Sequence, residues 1–151
     1  MTATGTTPDL ALFLHALASE FDEQAGAPAR DALLRAVGQR MAARVTPPPC
    51  QTVDALEIEV NDLLARLGWG HINLEVLRDE HAVKITHHHL PHLGALGDVP
   101  GQWLAATLEG LYETWFSQQP GAVGTYIATR EKRSDQSFRT DVVELKLTSE
   151  K

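Results

Sequence analysis

The hydrophobic pattern of this sequence changes its period at about residue 70, and no other feature limits the possible folds as much. Before that point apolar residues recur three and four positions apart along three segments, which predicts amphipathic helices. Beyond it, Ile72, Leu74 and Val76 alternate with polar residues, as in a half-buried strand. Val83 and Ile85 resume the alternation after a polar turn, which predicts an antiparallel hairpin. The chain is therefore expected to be an α+β protein.

Three helices are expected before the change, each bounded by residues that start or stop a helix. The first begins at Pro8 and ends at Gly26. The second covers about 28–43, where three consecutive prolines forbid continuation, and the third runs from a cap at Thr52 to Gly68. The apolar stripes expected to face the core are Leu10, Phe13, Leu14, Leu17 and Phe21; Leu33, Leu34, Val37 and Met41; and Leu56, Val60, Leu63, Leu64 and Leu67.

The rest of the chain adds a fourth helix and two strands. The helix is expected at about 102–118 and the strands at about 125–129 and 141–147. The resulting order is αααββαββ, with the helices packed on a small antiparallel sheet. Because 151 residues are the length of one ordinary domain, residues 8–151 are expected to form a single domain behind a flexible N-terminal arm, residues 1–7.

Charge and cysteine content exclude several classes of partner and site. Thirteen basic and twenty acidic residues give a net charge of −7, which repels phosphate backbones and anionic lipid, so neither nucleic acid nor a membrane is an expected partner. The single cysteine, Cys50, excludes an internal disulfide and a cysteine-based zinc site. No apolar run approaches the roughly 20 residues that cross a bilayer, and the first residues lack the pattern of a secretory signal. A cytoplasmic location is expected.

Five apolar residues do not fit the core of one chain. Two lie opposite the apolar stripes of their helices, two widen the apolar arc of the fourth helix, and one lies off that arc on the same helix. Isolated exposed apolar residues are common, and the arc could also be covered by the sheet. For the arc, contact with another copy of the chain is the favoured interpretation, because symmetric homo-oligomers commonly bury such surfaces, whereas for the two isolated residues both interpretations stay open. The candidate assembly residues are Leu12, Ile58, Trp103, Tyr112 and Phe116.

No arrangement of residues predicts a catalytic centre, a cofactor or a metal site. Four histidines fall within 87–92, but strand alternation puts consecutive ones on opposite faces, and no cysteine or carboxylate completes a ligand shell. This segment is expected to be a polar strand end that gains charge as the pH falls towards about 6. Glu109, at the border of the apolar arc, is expected to be a hydrogen-bonded structural residue. Trp69 is expected to plug the core rather than stack on a sugar.

A series of short motifs extends along residues 8–130. They are Pro8-Asp9, Leu12-Phe13-Leu14, Asp22-Glu23-Gln24-Ala25-Gly26, Leu33-Leu34-Arg35, Val37-Gly38, Pro47-Pro48, Cys50, Trp69-Gly70, Leu90-Pro91, Trp103-Leu104, Leu108-Glu109-Gly110-Leu111-Tyr112, Gln119-Pro120-Gly121-Ala122, Gly124, Tyr126, Thr129 and Arg130. In this order and spacing they resemble the bacterial cellulose synthase operon protein D family. The His-rich segment and the residues after 130 depart from the family pattern.

The resemblance implies a non-enzymatic accessory protein that forms a cylindrical homo-octamer and helps to export and align glucan chains into crystalline cellulose. It also implies that the N-terminal arms line passages for β-1,4-glucan. The glucan-contacting residues would then be Thr2, Ala3, Thr4, Gly5, Thr6 and Thr7. Other proteins of the cellulose synthase operon are the implied partners. The strongest alternative is a small-molecule-binding α+β sensor or adaptor with an apolar pocket, and an enzyme is the third hypothesis.

Overall fold

The computed structural model describes residues 10–91, 103–122, 124–130 and 142–150. Its elements in chain order are the helices α1 (Ala11–Arg44) and α2 (Val53–Leu67), the strand β1 (His71–Leu77), a 3₁₀ turn (Arg78–Glu80), the strand β2 (Ala82–His88), the helix α3 (Trp103–Ser117) and the strands β3 (Thr125–Arg130) and β4 (Val143–Glu150). The α+β class is confirmed. The expected N-terminal arm, residues 1–7, lies outside the described residues.

The helix α1 contains both of the first two expected helices. Gly26 stands between them with φ +82° and ψ 168°, a non-helical conformation that is nearly restricted to glycine, so the predicted break is confirmed and the two helical segments join at a kink. Pro28 follows in the first turn beyond the kink, where its missing N–H costs no hydrogen bond. The described chain therefore has three helices where the sequence predicted four. None of the three is long and apolar enough to cross a membrane.

Local signals fix the ends of α2 and of the hairpin that follows. The Thr52 side chain accepts a hydrogen bond from the Ala55 N–H at 3.0 Å, and Gly68 ends the helix in the left-handed conformation. The strands β1 and β2 then pair antiparallel, with Leu74 opposite Ile85. The predicted cap, helix end and hairpin are confirmed.

The four strands form one antiparallel sheet in the order β1-β2-β4-β3. The last strand of the chain thus lies in the interior of the sheet, and β1 and β3 are its edges. One face shares a core with α2 and α3. The fully buried apolar residues of that face are Ile72, Ile85, Ala128, Leu145 and Leu147.

The helices α1 and α3 touch backbone to backbone where they cross. A Cβ at Gly38 would stand 2.0 Å from the Thr107 carbonyl oxygen, and a Cβ at Gly110 would stand 1.9 Å from the Arg35 carbonyl oxygen. Neither position has room for a side chain, so each requires glycine. This contact fixes the second half of α1, beyond the kink, on α3.

Candidate functional site

The first half of α1, before the kink, exposes large apolar side chains. Leu10, Phe13 and Leu17 are 59%, 63% and 42% exposed, although the sequence pattern predicted that they face the core. The residues that this half buries are Ala11 and Ala18. The prediction was wrong because the helix turns its small residues inward, and a stripe of large apolar residues does not show which surface will cover it. The spacing of the two alanines, seven residues apart, was the available signal.

The residue of α1 that was expected to point away from the core, Leu12, is 72% exposed and directly precedes Phe13. We call Leu10, Leu12, Phe13 and Leu17 together the α1 apolar surface. Ile58, the candidate on α2, is 62% exposed. All five residues are open to contact with another chain.

The apolar arc of α3 is covered within the chain. Tyr112 is fully buried and Phe116 is 5% exposed, and their rings meet those of Trp115 and Tyr126 edge-on at centroid distances of 5.9 and 6.4 Å. Both residues belong to the core and are closed to another copy. Contact with the sheet, the alternative interpretation, covers Tyr112 and Phe116, and α1 packs on the rest of α3. Trp103 is half-buried, and within the described residues its Nε1 has no hydrogen-bond partner.

A chain of ion pairs links both halves of α1 to α3 and β3. Its members alternate in charge along the series Asp22, Arg30, Asp31, Arg130, Glu109, Arg35 and Glu113. The pair between Arg30 and Asp22, at 2.6 Å, joins the two sides of the Gly26 kink. Arg30 also pairs with Asp31 at 3.1 Å. The direction of the first half of α1 is thereby tied to the packed second half.

Glu109 lies at the centre of these pairs and is 5% exposed. One carboxylate oxygen accepts a hydrogen bond from Arg35 at 2.6 Å, and the other accepts one from Arg130 at 2.7 Å. The next acid along the helix, Glu113, pairs with Arg35 and also accepts the Ala128 N–H at 2.8 Å. Glu109 thus joins α3 to α1 and to β3, and the prediction that it is a hydrogen-bonded structural residue is confirmed.

His87 lies inside the core, not at a polar strand end. Its Nε2 is 2.6 Å from the Trp69 carbonyl oxygen, which can only accept, so Nε2 carries the hydrogen. Nδ1 then accepts a hydrogen bond from the Tyr112 hydroxyl at 2.5 Å. Burial lowers the pKa of His87 to about 4, because the imidazolium would lose its hydration, and the hydrogen bond to Trp69 opposes this only in part. The prediction that this residue gains charge near pH 6 was wrong.

Three other imidazoles cluster where β1 begins and β2 ends. The ring centroid of His71 lies 5.0 Å from that of His88 and 5.3 Å from that of His89. The first two rings are stacked with an interplanar angle of 19°, so their nitrogen atoms do not converge on one point. Across the described part of the chain, no three His, Cys, Asp or Glu residues are grouped so as to hold a metal ion. His92 lies outside the described residues.

Trp69, the possible sugar platform, is half-buried and packs against the core, in agreement with the prediction that it plugs the core. A separate apolar cleft of about 190 Å³ opens near the end of α1. Its lining residues are Met41, Arg44, Val45, Leu67, Leu111 and Trp115. Pockets for small organic ligands usually enclose about 300–1,000 Å³, so this cleft is small for such a ligand.

The family-like motifs of the sequence meet one another inside the fold. Gln119 accepts a hydrogen bond from the Cys50 N–H at 2.8 Å, which joins the proline-rich motif to the one that follows α3. The pairing of Arg35 with Glu109 likewise joins the central motif of α1 to that of α3. Motifs that are distant in the sequence are therefore joined by direct contacts in the fold.

These features define an α+β domain with interlocked internal motifs and an exposed apolar helix surface. The chain belongs to the family of cellulose synthase D subunits, because the sequence model of that family matches residues 1–143. A cellulose synthase operon protein D of Komagataeibacter xylinus is 49% identical over 131 residues, which are 87% of this chain and 84% of that protein. The protein of the same description from Komagataeibacter sucrofermentans matches to the same extent.

Two solved structures share the fold at low sequence identity. A trafficking protein particle complex subunit 3 from Naegleria fowleri, covalently bound to palmitic acid, superposes with a TM-score of 0.56 and 12% identity, over 94% of this chain and 93% of that one. A vinyl-4-reductase family protein from Methanocaldococcus jannaschii gives a TM-score of 0.50 and 13% identity, over 99% of this chain and 85% of that one. At such identities the likeness shows the fold alone.

Proposed function

We propose that this protein is a non-catalytic accessory component of bacterial cellulose biosynthesis that assembles with copies of itself and helps to export, align and crystallise glucan chains. Membership of the cellulose synthase operon protein D family supports the role in cellulose biosynthesis and an association with other proteins of the operon. The proposed assembly is the cylindrical homo-octamer that the family resemblance implies, and the proposed location is the cytoplasm.

The observation that carries the proposal of self-assembly is the α1 apolar surface. Leu10, Leu12 and Phe13 each leave more than half of their surface in water. A large apolar side chain that moves from water into an interface contributes about 1.5–3 kcal/mol. Because a two-fold contact uses the same residues of both copies, each of these contributions would count twice.

Ile58 offers a second apolar contact on a different helix. One two-fold contact joins only two copies, so an octamer needs at least two different contacts per protomer. We assign the second contact to the outer face of α2 around Ile58. Trp103, half-buried at the start of α3, is the remaining candidate.

The environments of the buried ionisable residues support a non-catalytic role. Glu109 is held between two arginines, and His87 is enclosed in the core, where no substrate can reach either of its nitrogen atoms. Both side chains hold elements of the fold together. They are the two buried groups of the described chain in which acid–base chemistry would first be sought.

The proposed glucan contacts lie in the first seven residues, and this part of the proposal rests on the family resemblance. The residues are Thr2, Ala3, Thr4, Gly5, Thr6 and Thr7. They are uncharged and offer hydroxyl and backbone groups, which can exchange hydrogen bonds with glucan hydroxyls. Each such exchange is worth only about 1 kcal/mol net, so the chain would be guided without being held.

Light scattering at micromolar concentration tests the assembly. We expect a homo-oligomer, and we expect Phe13→Asp to reduce its mass because the variant puts a charge into the α1 apolar surface. Ser19→Asp is the matched control, since it adds the same charge at an exposed position of the same half of α1. Strictly monomeric wild-type protein would sink the assembly proposal. If the assemblies of the two variants had equal masses, the α1 apolar surface would not be part of the contact between copies.

Deletion of residues 2–7 tests the glucan contacts. We expect the truncated protein to assemble normally but to lower the yield and crystallinity of cellulose in cells that carry it. An intact assembly with unchanged cellulose would disprove the role of the arm.

The rival function, binding of a small molecule, has the cleft beside Trp115 as its only structural support among the described residues. Its volume of about 190 Å³ makes it the weaker alternative. Native mass spectrometry separates the two functions, because a stoichiometric bound ligand would favour the rival and a ligand-free oligomer would favour the proposal.

A further inference from the structure

The outer edge of β1 is closed by side chains of α2. Asn61 accepts a hydrogen bond from the Ile72 N–H at 2.7 Å through Oδ1 and donates one to the Ile72 carbonyl oxygen at 3.0 Å through Nδ2. Glu57, one helical turn earlier, accepts the Leu74 N–H at 2.7 Å. Since β2 pairs with the inner side of β1, these are three of the outward backbone groups that an additional strand would use, all in the first half of β1.

The opposite edge, at β3, is closed in the same way by α3. Ser117 accepts the Tyr126 N–H at 3.1 Å, and Glu113 accepts the Ala128 N–H at 2.8 Å. Arg35 of α1 donates to the Ala128 carbonyl oxygen at 3.4 Å. Two different helices therefore occupy the two edges of one sheet.

In a protein that assembles with itself, an open sheet edge would favour aggregation, because a strand of another copy could pair with it. Unpaired N–H and C=O groups on an edge strand are a template for a strand of another chain. Assembly holds several copies close together, which raises the local concentration of such edges. The strand β1 has seven residues and carries Val76, which is 47% exposed, so an extended strand would find both backbone and apolar partners there.

We propose that Asn61 and Glu57 determine how copies of this protein meet: by occupying the edge of β1 they prevent strand addition by a second copy and confine contacts between protomers to helix surfaces. The inference rests on the proposed self-assembly. The side-chain amide of Asn61 suits this task because it carries a donor and an acceptor, as a peptide group does. The occupant that an unsealed edge would accept is an extended strand of a second copy.

The double variant Asn61→Ala/Glu57→Ala tests the inference, because it removes all three hydrogen bonds at this edge. We expect strand-paired aggregates, detected by thioflavin T fluorescence, to form roughly tenfold or more faster than in the control. The control is Val60→Ala, which lowers stability from a fully buried position of the same helix and leaves the edge bonds in place. Amide hydrogen exchange should show lost protection at Ile72 and Leu74 in the double variant only.

Equal aggregation rates in the double variant and in Val60→Ala would overturn the inference, because lost stability alone would then explain both. Should the double variant fail to fold, Asn61→Ala alone opens the edge at Ile72 and is compared with the same control. The outcome is separate from that of the proposed function: monomeric wild-type protein would refute the assembly, whereas the comparison of these variants still reports whether the edge has been sealed.

Discussion

The two halves of α1 have similar apolar content but differ in how much of it they bury against the rest of the molecule. Beyond the kink, Leu34, Gly38 and Ala42 are buried and the helix touches the α3 backbone. Before the kink, only Ala11 and Ala18 are fully buried, and Leu10, Leu12 and Phe13 are more than half exposed, whereas the most exposed large apolar side chain beyond the kink, Leu33, is 48% exposed. The comparison teaches that small residues decide which face of this helix packs within the chain, and that the large residues left outside form the surface proposed for self-assembly.

The largest expected effect comes from filling the contact that fixes the second half. A methyl group at Gly110 would overlap the Arg35 carbonyl oxygen, so Gly110→Ala should lower the unfolding free energy by about 3 kcal/mol or more. Gly121→Ala is the control, because nothing lies within 4 Å of its Cβ position. Urea denaturation measures the unfolding free energy of both variants. Equal losses of unfolding free energy would mean that close contact with α3 does not distinguish the second half of α1 from the first.

Lowering the pH should reduce the unfolding free energy of the protein, because His87 is buried in its neutral form. Its pKa is about 4 in the folded state against 6.5 for an ordinary histidine, so the unfolded chain binds the proton first. The neutral ring contributes fully to the unfolding free energy above about pH 6.5. This contribution decreases as the pH falls towards 4, and the total decrease is about 3 kcal/mol. Denaturation curves across this range should show the loss, and His87→Gln should reduce it. If the unfolding free energy of the variant fell with pH as steeply as that of the wild type, the loss could not be assigned to His87.

A change at the kink should affect both halves of α1 at once. Gly26→Ala forces a side chain into a backbone conformation that is nearly restricted to glycine, at a cost of about 1–3 kcal/mol, and should redirect the first half and alter the mass of the assembly. Gly68→Ala is the control, because it also puts a side chain on a residue with positive φ, here in the left-handed region and in open space at the end of α2. The control should lose stability with the assembly intact. If Gly26→Ala kept the assembly too, the kink would not set the direction of the α1 apolar surface.

The smallest change in unfolding free energy is expected for Leu12, because it is the most exposed of the large apolar side chains. In the Phe13→Asp background, which separates folding from association, Leu12→Ala should change the unfolding free energy by no more than about 0.5 kcal/mol. Leu34→Ala, the same substitution in the second half, should cost about 2–5 kcal/mol. Chemical denaturation of the two variants is the most direct measure of the difference between the halves.

Local structure was predictable because its signals are local. The cap at Thr52, the end at Gly68 and the hairpin each depend on residues close in sequence. The break at Gly26 and the helix that follows it were also predictable, although the sequence could not show that the two segments join at a kink.

Features that depend on distant partners were not predictable. Arg35 meets Glu109 from 74 positions away, and His87 looks like a surface histidine until Trp69 and Tyr112 enclose it. Only part of the α1 apolar surface was predicted. Leu12 was expected to be exposed, whereas Leu10, Phe13 and Leu17 were expected to face the core. Periodicity identifies an apolar face but not the molecule that covers it.

The long separation between α1 and its packing partner also has a consequence for synthesis. Arg35 pairs with Glu113, 78 residues further along the chain, and the Trp115 indole reaches the Val45 carbonyl oxygen across 70 residues. At the usual 5–20 residues per second, a ribosome needs roughly 4–16 s to make the chain between the first two. For that interval the second half of α1 lacks its packing partner α3, so the face that α3 later covers is open during synthesis.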